Sequence, residues 1–159
     1  MAAALPNLPM DATVMIRLIR ISAYGLGNYF EPVFRALDLG EHSFHVLCLL
    51  VAADKGRASP SELSELVGTS RANMTRILEE LNQAGLVART VQARDGRRFD
   101  ICITAAGRKR VRDVVPQLAE PLSRAFSDLD AEEFALLDKL MRKLIVSLDK
   151  PAKAHRAAA

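Results

Sequence analysis

The chain has 159 residues, of which 50% are hydrophobic and 26% charged, and 22 Lys and Arg against 19 Asp and Glu leave a net charge of +3. That size and balance suit a single soluble domain and exclude a collagen-like or intrinsically disordered chain. The longest uninterrupted apolar run, Val46 to Ala53, is far shorter than the roughly 20 residues of a membrane-spanning helix, and residues 1–10 lack the basic start of a secretory leader, so a cytoplasmic protein with no membrane contact is expected.

After a flexible N-terminus over 1–10, Asp11 is placed to cap a first helix, and Val14, Leu18 and Ile21 with Met15 and Ile19 form its apolar stripe. Gly25, Gly27 and Pro32 disturb the second half, which predicts a kink or break near Asn28 to Glu31. Gly40 separates it from a second helix, about Glu41 to Ala53, apolar enough to be buried on most sides and ended by Lys55-Gly56-Arg57.

Ser59-Pro60-Ser61-Glu62 is a full capping box, with Ser as N-cap, Pro at the first helical position and Glu three residues after the cap. The short helix it opens runs to about Val67. Gly68 allows a tight turn, Thr69 or Ser70 caps a fourth helix to about Ala84, and Gly85 supplies a left-handed stop. Two helices joined by a short glycine-containing turn form a helix-turn-helix.

Past Gly85 the apolar period falls to two. Val87, Arg89 and Val91 form one strand and Phe99, Ile101 and Ile103 another, with Arg94-Asp95-Gly96-Arg97-Arg98 between them and Asp-Gly as the turn. Thr104 caps a helix reaching into the 120s, which Pro116 and Pro121 should bend. Asp130-Ala131-Glu132-Glu133 opens a last helix with Phe134, Leu137, Leu140, Met141, Leu144 and Leu148 on its apolar face, and 149–159 is expected to be a disordered basic tail.

Charge is concentrated on this middle section: residues 57–112 carry 11 basic and 6 acidic side chains, net +5, while the rest is slightly acidic. A positive segment of that kind suits a polyanionic partner. In the helix from Ser70 to Ala84, Met74, Ile77, Leu78 and Leu81 share the face that packs on the core. The opposite face then presents Thr69, Ala72, Asn73, Thr75 and Arg76 with Arg71 on its shoulder, and Glu79 and Glu80, which phosphates repel, further along. An N-terminal half of that composition fits docking in a major groove, with Asn73 or Arg76 reading base edges and Ser70, Arg71 and Thr75 holding backbone oxygens. The arginine-tipped hairpin makes the unit a winged helix, with Arg97 the candidate for the minor groove and Asp95 orienting Arg97 or Arg98.

The stretch Leu63 to Gly107 carries Thr69-Ser70-Arg71-Ala72-Asn73-Met74-Thr75-Arg76, then Leu81-Asn82-Gln83-Ala84-Gly85-Leu86-Val87, Asp95-Gly96-Arg97-Arg98 and Ile103-Thr104-Ala105-Ala106-Gly107. In that order and spacing it resembles the MarR (multiple antibiotic resistance regulator) family, and the likeness extends over about residues 10–148. The resemblance implies a mainly α fold with a small β-wing, organised as one domain over 11–148. A winged helix-turn-helix at about 41–104 would lie between dimerisation helices at about 11–38 and 105–148. It also implies a homodimer on a pseudo-palindromic double-stranded operator, most often a repressor that a phenolic or aromatic acid releases. The DNA-binding candidates are Ser59, Ser61, Thr69, Ser70, Arg71, Asn73, Thr75, Arg76, Arg94, Asp95, Arg97 and Arg98. The apolar stripes of the terminal helices, too wide for one small core to cover, point to the same dimer.

For an anionic effector, Arg17 and Arg20 fall on one side of the first helix, and His42 and His45 share a face of the second, near Tyr24 if the two helices pack together. Ion pairs between chains are the alternative role for the two arginines. No metal site or cofactor is expected, because His42, His45 and Cys48, spaced i, i+3 and i+6, cannot readily all meet one ion. Cys48 lies in an apolar run that raises its pKa, and Cys102 has no cysteine partner nearby in sequence. Catalytic motifs such as H-E-x-x-H, G-x-S-x-G and G-x-G-x-x-G are missing, so an enzyme is not expected. The alternative to a ligand-responsive regulator is a constitutive or architectural DNA-binding protein without an effector.

Overall fold

The structure, a computed structural model, describes the backbone of residues 8–92 and 95–157 and the side chains of residues 8–91 and 99–149. It comprises two compact units, Met1–Pro121 and Leu122–Ala159. Its elements are α1 (Met10–Ala36), α2 (Glu41–Ala52), β1 (Arg57–Ala58), α3 (Pro60–Val67), α4 (Arg71–Gln83), β2 (Val87–Gln92), β3 (Asp95–Ile103), α5 (Ala105–Ala125) and α6 (Ala131–Ala157). A 3₁₀ turn, Asp54–Gly56, links α2 to β1.

The core of the first unit forms where amphipathic helices close over a small sheet. Val46, Leu47 and Leu50 of α2 are fully buried with Leu63 of α3 and Ile101 of β3, and Met74, Ile77, Leu78 and Leu81 of α4 are at most 2% exposed. The α4 stripe read at helical spacing is therefore the packed face. Val111, Val114 and Leu118 of α5 complete this core, and Phe30 and Phe34 bury the last turns of α1, with the Phe34 ring 5.8 Å from that of Phe44. Among the described residues no helix is long and apolar enough to cross a membrane.

Five features depart from the sequence expectations. Helix α1 begins one residue before Asp11: Pro9 is its N-cap, the Thr13 amide and hydroxyl both donate to the Pro9 carbonyl at 3.0 Å, and Asp11 sits in the first turn. There its charge still complements the helix dipole. Helix α1 also runs unbroken through Asn28 to Glu31 and Pro32. A mid-helix proline costs about 3 kcal/mol, and burying Phe30 and Phe34 on either side of it returns roughly 1.5–3 kcal/mol each.

The sheet has three strands, in the order β1-β3-β2. In β1, Arg57 lies opposite Cys102 and Ala58 opposite Ile101, and two residues are too few to show a period. The second wing strand starts at Asp95, opposite Gln92, so Asp95 and Gly96, expected as the turn, belong to β3. The register jumps from Val91 opposite Phe99 to Gln92 opposite Asp95, which leaves residues 96–98 as extra length on β3. Finally, α6 continues through Pro151 to Ala157, where a disordered tail is expected.

The capping assignments of the other helices with side-chain caps hold at the hydrogen-bond level. Asp130 Oδ1 accepts from the amides of Glu132 and Glu133 at 2.9 Å while Glu133 Oε2 accepts from the Asp130 amide at 3.0 Å, a reciprocal box that starts α6. Thr104 Oγ1 accepts from the Gly107 amide at 3.0 Å and so opens α5, which then continues through Pro116 and Pro121 to Ala125.

Candidate nucleic-acid interface

Helices α3 and α4 are set by their caps and by the turn between them. Ser59 Oγ accepts from the Glu62 amide at 3.3 Å, and Gly68 ends α3 with φ 73°, a conformation that a side chain would strain. Ser64, 5% exposed, donates to the Thr69 carbonyl at 2.7 Å and so ties the turn to α3. Ser70 Oγ accepts from the Asn73 amide at 3.2 Å and starts α4. With the apolar stripe fixed in the core, the remaining face of α4 must point outward.

That face is a connected polar surface. Asn73 Nδ2 donates to Thr69 Oγ1 at 2.8 Å, Arg76 Nη2 donates to Asn73 Oδ1 at 3.0 Å, and Arg76 Nη1 donates to Glu80 Oε1. Thr75 Oγ1 donates to the Arg71 carbonyl at 3.0 Å. Ser61, Ser70, Arg71, Thr75 and Arg76 are exposed, and Ser59, Thr69 and Asn73 are half-buried. Arg71 has no ion-pair partner among the described residues.

A cleft of about 820 Å³ separates the start of α4 from the base of the wing; Arg57, Ser59, Ser61, Arg71, Thr75 and Phe99 line it. It brings the predicted Ser59, Ser61, Arg71 and Thr75 together. Arg94 lies outside the described residues, as do the side chains of Asp95, Arg97 and Arg98 on β3. Two groups escaped the sequence reading: Arg57, which needs β1 to place it, and Arg89, whose guanidinium sits 5.2 Å from the Phe99 ring centre and 3.8 Å from Glu79. Arg89 and Phe99 are diagonal neighbours in the β2–β3 register, a relation visible only once the strands are paired. The Arg89–Glu79 pair joins the base of the wing to α4.

The candidate effector residues are only partly brought together. Arg17, Arg20 and Tyr24 line an open hollow of about 430 Å³ with Thr13, Ile16 and Ile21, all on α1. Both arginines are exposed, and Tyr24 is 73% exposed. His42 and His45 do not line this hollow. They stand near the start of α2, which meets α1 around Phe34, and Tyr24 is ten residues, or about 15 Å of helix, away from that point. Burial raises the Cys48 thiol pKa, as its apolar surroundings predicted.

Comparison with known proteins places these features in context. The profile of the MarR family matches residues 37–98. The chain is 32% identical to the transcriptional repressor MprA of Escherichia coli K12 over 144 residues, which are 91% of this chain and 82% of that protein. Sco3205, a MarR family regulator of Streptomyces coelicolor crystallised in complex with DNA, superposes with a TM-score of 0.76 at 20% identity, covering 86% of this chain and 87% of that one. NadR in complex with 4-hydroxyphenylacetate superposes with a TM-score of 0.67 at 26% identity, covering 83% and 92%.

Proposed function

The chain belongs to the MarR family of DNA-binding transcriptional regulators, and from that membership we propose that it is a homodimeric repressor, released from a pseudo-palindromic operator by a small aromatic acid or phenol. The observation that carries the reading is the outward face of α4, where exposed Arg71, Thr75 and Arg76 surround the linked amide of Asn73. Asn73 and Arg76 read base edges, while Ser59, Ser61, Thr69, Ser70, Arg71 and Thr75 hold the phosphate backbone. Arg94, Arg97 and Arg98 supply the wing contact, with Asp95 orienting Arg97 or Arg98. The winged helix spans about 41–104, flanked by dimerisation helices at 11–38 and 105–148. Two copies related by a two-fold axis then require half-sites about 10 base pairs apart, or a multiple of that.

The effector reading rests on the α1 hollow, which sets two guanidinium groups and a phenol beside Ile16 and Ile21. Arg17 and Arg20 have no ion-pair partner among the described residues, and such groups suit a carboxylate on an aromatic ring. NadR, similar in fold, was crystallised with a ligand of that class.

Selecting duplexes from a random pool on the purified protein tests the DNA reading: recovery of an inverted repeat supports it, and recovery of no common sequence overturns it. On the selected duplex, affinity should fall steeply with added salt, because several phosphates are neutralised. Arg97→Ala should weaken binding by about 1–3 kcal/mol and leave the oligomeric state unchanged; equal affinity at fixed salt would remove the wing from the interface. A thermal-shift panel of aromatic acids should yield at least one that raises Tm and releases the duplex, both effects being lost in Arg17→Ala/Arg20→Ala. Complete silence of the panel would favour a constitutive DNA-binding protein.

A further inference from the structure

We propose that Glu80 is a positioning residue for sequence recognition, holding Arg76 and through it Asn73 in the arrangement that reads bases; the proposal rests on α4 being the recognition helix. A carboxylate on a surface that meets a polyanion weakens binding to every sequence. Its presence therefore calls for a compensating role. Glu79 lies toward Arg89 at the base of the wing, whereas Glu80 accepts from Nη1 of Arg76, with the two side chains 53% and 62% exposed. The other side of the same guanidinium, Nη2, donates to Asn73 Oδ1 at 3.0 Å, and Asn73 Nδ2 donates to Thr69 Oγ1 at 2.8 Å.

This relay assigns a different partner to each end of the Asn73 amide. Turning the amide over would set its NH₂ against the guanidinium donors of Arg76, so Glu80 disfavours the flipped state by keeping Arg76 in place. By count, the amide retains one N–H and one lone pair. A donor and an acceptor side by side complement N7 and the N6 amino group of adenine in the major groove. Arg76 keeps its remaining N–H groups for a base or phosphate. Exposed ion pairs one helical turn apart add little to stability, so Glu80 can be replaced without unfolding the chain.

The test compares wild type with Glu80→Ala and Glu80→Gln, each alone and combined with Arg76→Ala. The readouts are the affinities for the duplex selected on wild-type protein and for a scrambled duplex of the same composition, at one salt concentration. Both single variants should bind the scrambled duplex about twofold or more tightly, since each removes a negative charge. The ratio of selected to scrambled affinity should fall about fivefold or more in Glu80→Ala, because a properly placed bidentate reader is lost. Gln keeps an acceptor for Nη1, so Glu80→Gln should hold the ratio within about twofold of wild type. In the Arg76→Ala background neither change should alter the ratio. A ratio unchanged in Glu80→Ala would reduce Glu80 to a phosphate-repelling charge and overturn the proposal, as would a ratio that still falls once Arg76 is gone. If Arg76→Ala and Asn73→Ala also leave the ratio at its wild-type value, the recognition-helix reading of α4 fails instead.

Discussion

Gly107→Ala should destabilise the protein by about 3 kcal/mol, although it adds a single methyl group to a helix. Gly107 is buried at the start of α5, and a Cβ there would collide with the Leu86 carbonyl oxygen and stand 2.8 Å from Ile103 Cγ1. The obstacle is backbone and cannot rotate away. The same carbonyl accepts from the Thr104 amide and hydroxyl, both at 3.1 Å, and the hydroxyl also donates to the Gly85 carbonyl at 2.8 Å. Pushing α5 outward would therefore break the cap of α5 and its seam with the α4–β2 turn together. Overpacking of this kind costs about 1–3 kcal/mol, and loss of a cap about 1 kcal/mol. Thr104→Ala removes only the hydroxyl and should cost about 1 kcal/mol. Urea unfolding at fixed protein concentration checks both, and a Gly107→Ala variant within about 0.5 kcal/mol of wild type would show that α5 does not pack this closely.

That junction marks the boundary of what the sequence discloses. Rules spanning four residues or fewer place the caps at Ser59, Ser70, Thr104 and Asp130, and the left-handed glycines Gly68 and Gly85, because donor and acceptor are close along the chain. Helical spacing likewise identifies Met74, Ile77, Leu78 and Leu81 as the buried face, and with it the outward side chains of α4. What stays hidden depends on pairings distant in sequence. Strand β1 exists because Arg57 and Ala58 meet Cys102 and Ile101. Helix α1 survives Pro32 because Phe30 and Phe34 are buried, and Arg89 acquires its role from Phe99 across the ladder. The histidines of α2 fail to join Tyr24 for the same reason: a shared helix face does not say which turn of the neighbouring helix it meets.

An aspartate in place of Ile145 should convert the protein from dimer to monomer and lower its affinity for an inverted-repeat operator by a factor on the order of 10²–10⁴. In α6, Leu136, Ile145, Val146 and Leu148 are 54–66% exposed, and α1 shows Ile16 and Ile21 at 57% each. A lone chain would leave these faces in water, and burying one such side chain gains roughly 1.5–3 kcal/mol. A second copy is the occupant favoured by the proposed two-fold operator, and self-association also removes an exposed apolar patch that would otherwise aggregate. The large effect on DNA follows from linkage, since the second recognition helix of a dimer binds at high effective concentration whereas a monomer must supply each half-site separately. Sedimentation and operator titration on Ile145→Asp should register both losses. Arg71→Ala should lose operator affinity while sedimenting as a dimer, which separates assembly from contact. Wild-type protein that sediments as a monomer at micromolar concentration, or an Ile145→Asp monomer that holds the full operator as tightly as wild type, would refute the dimer.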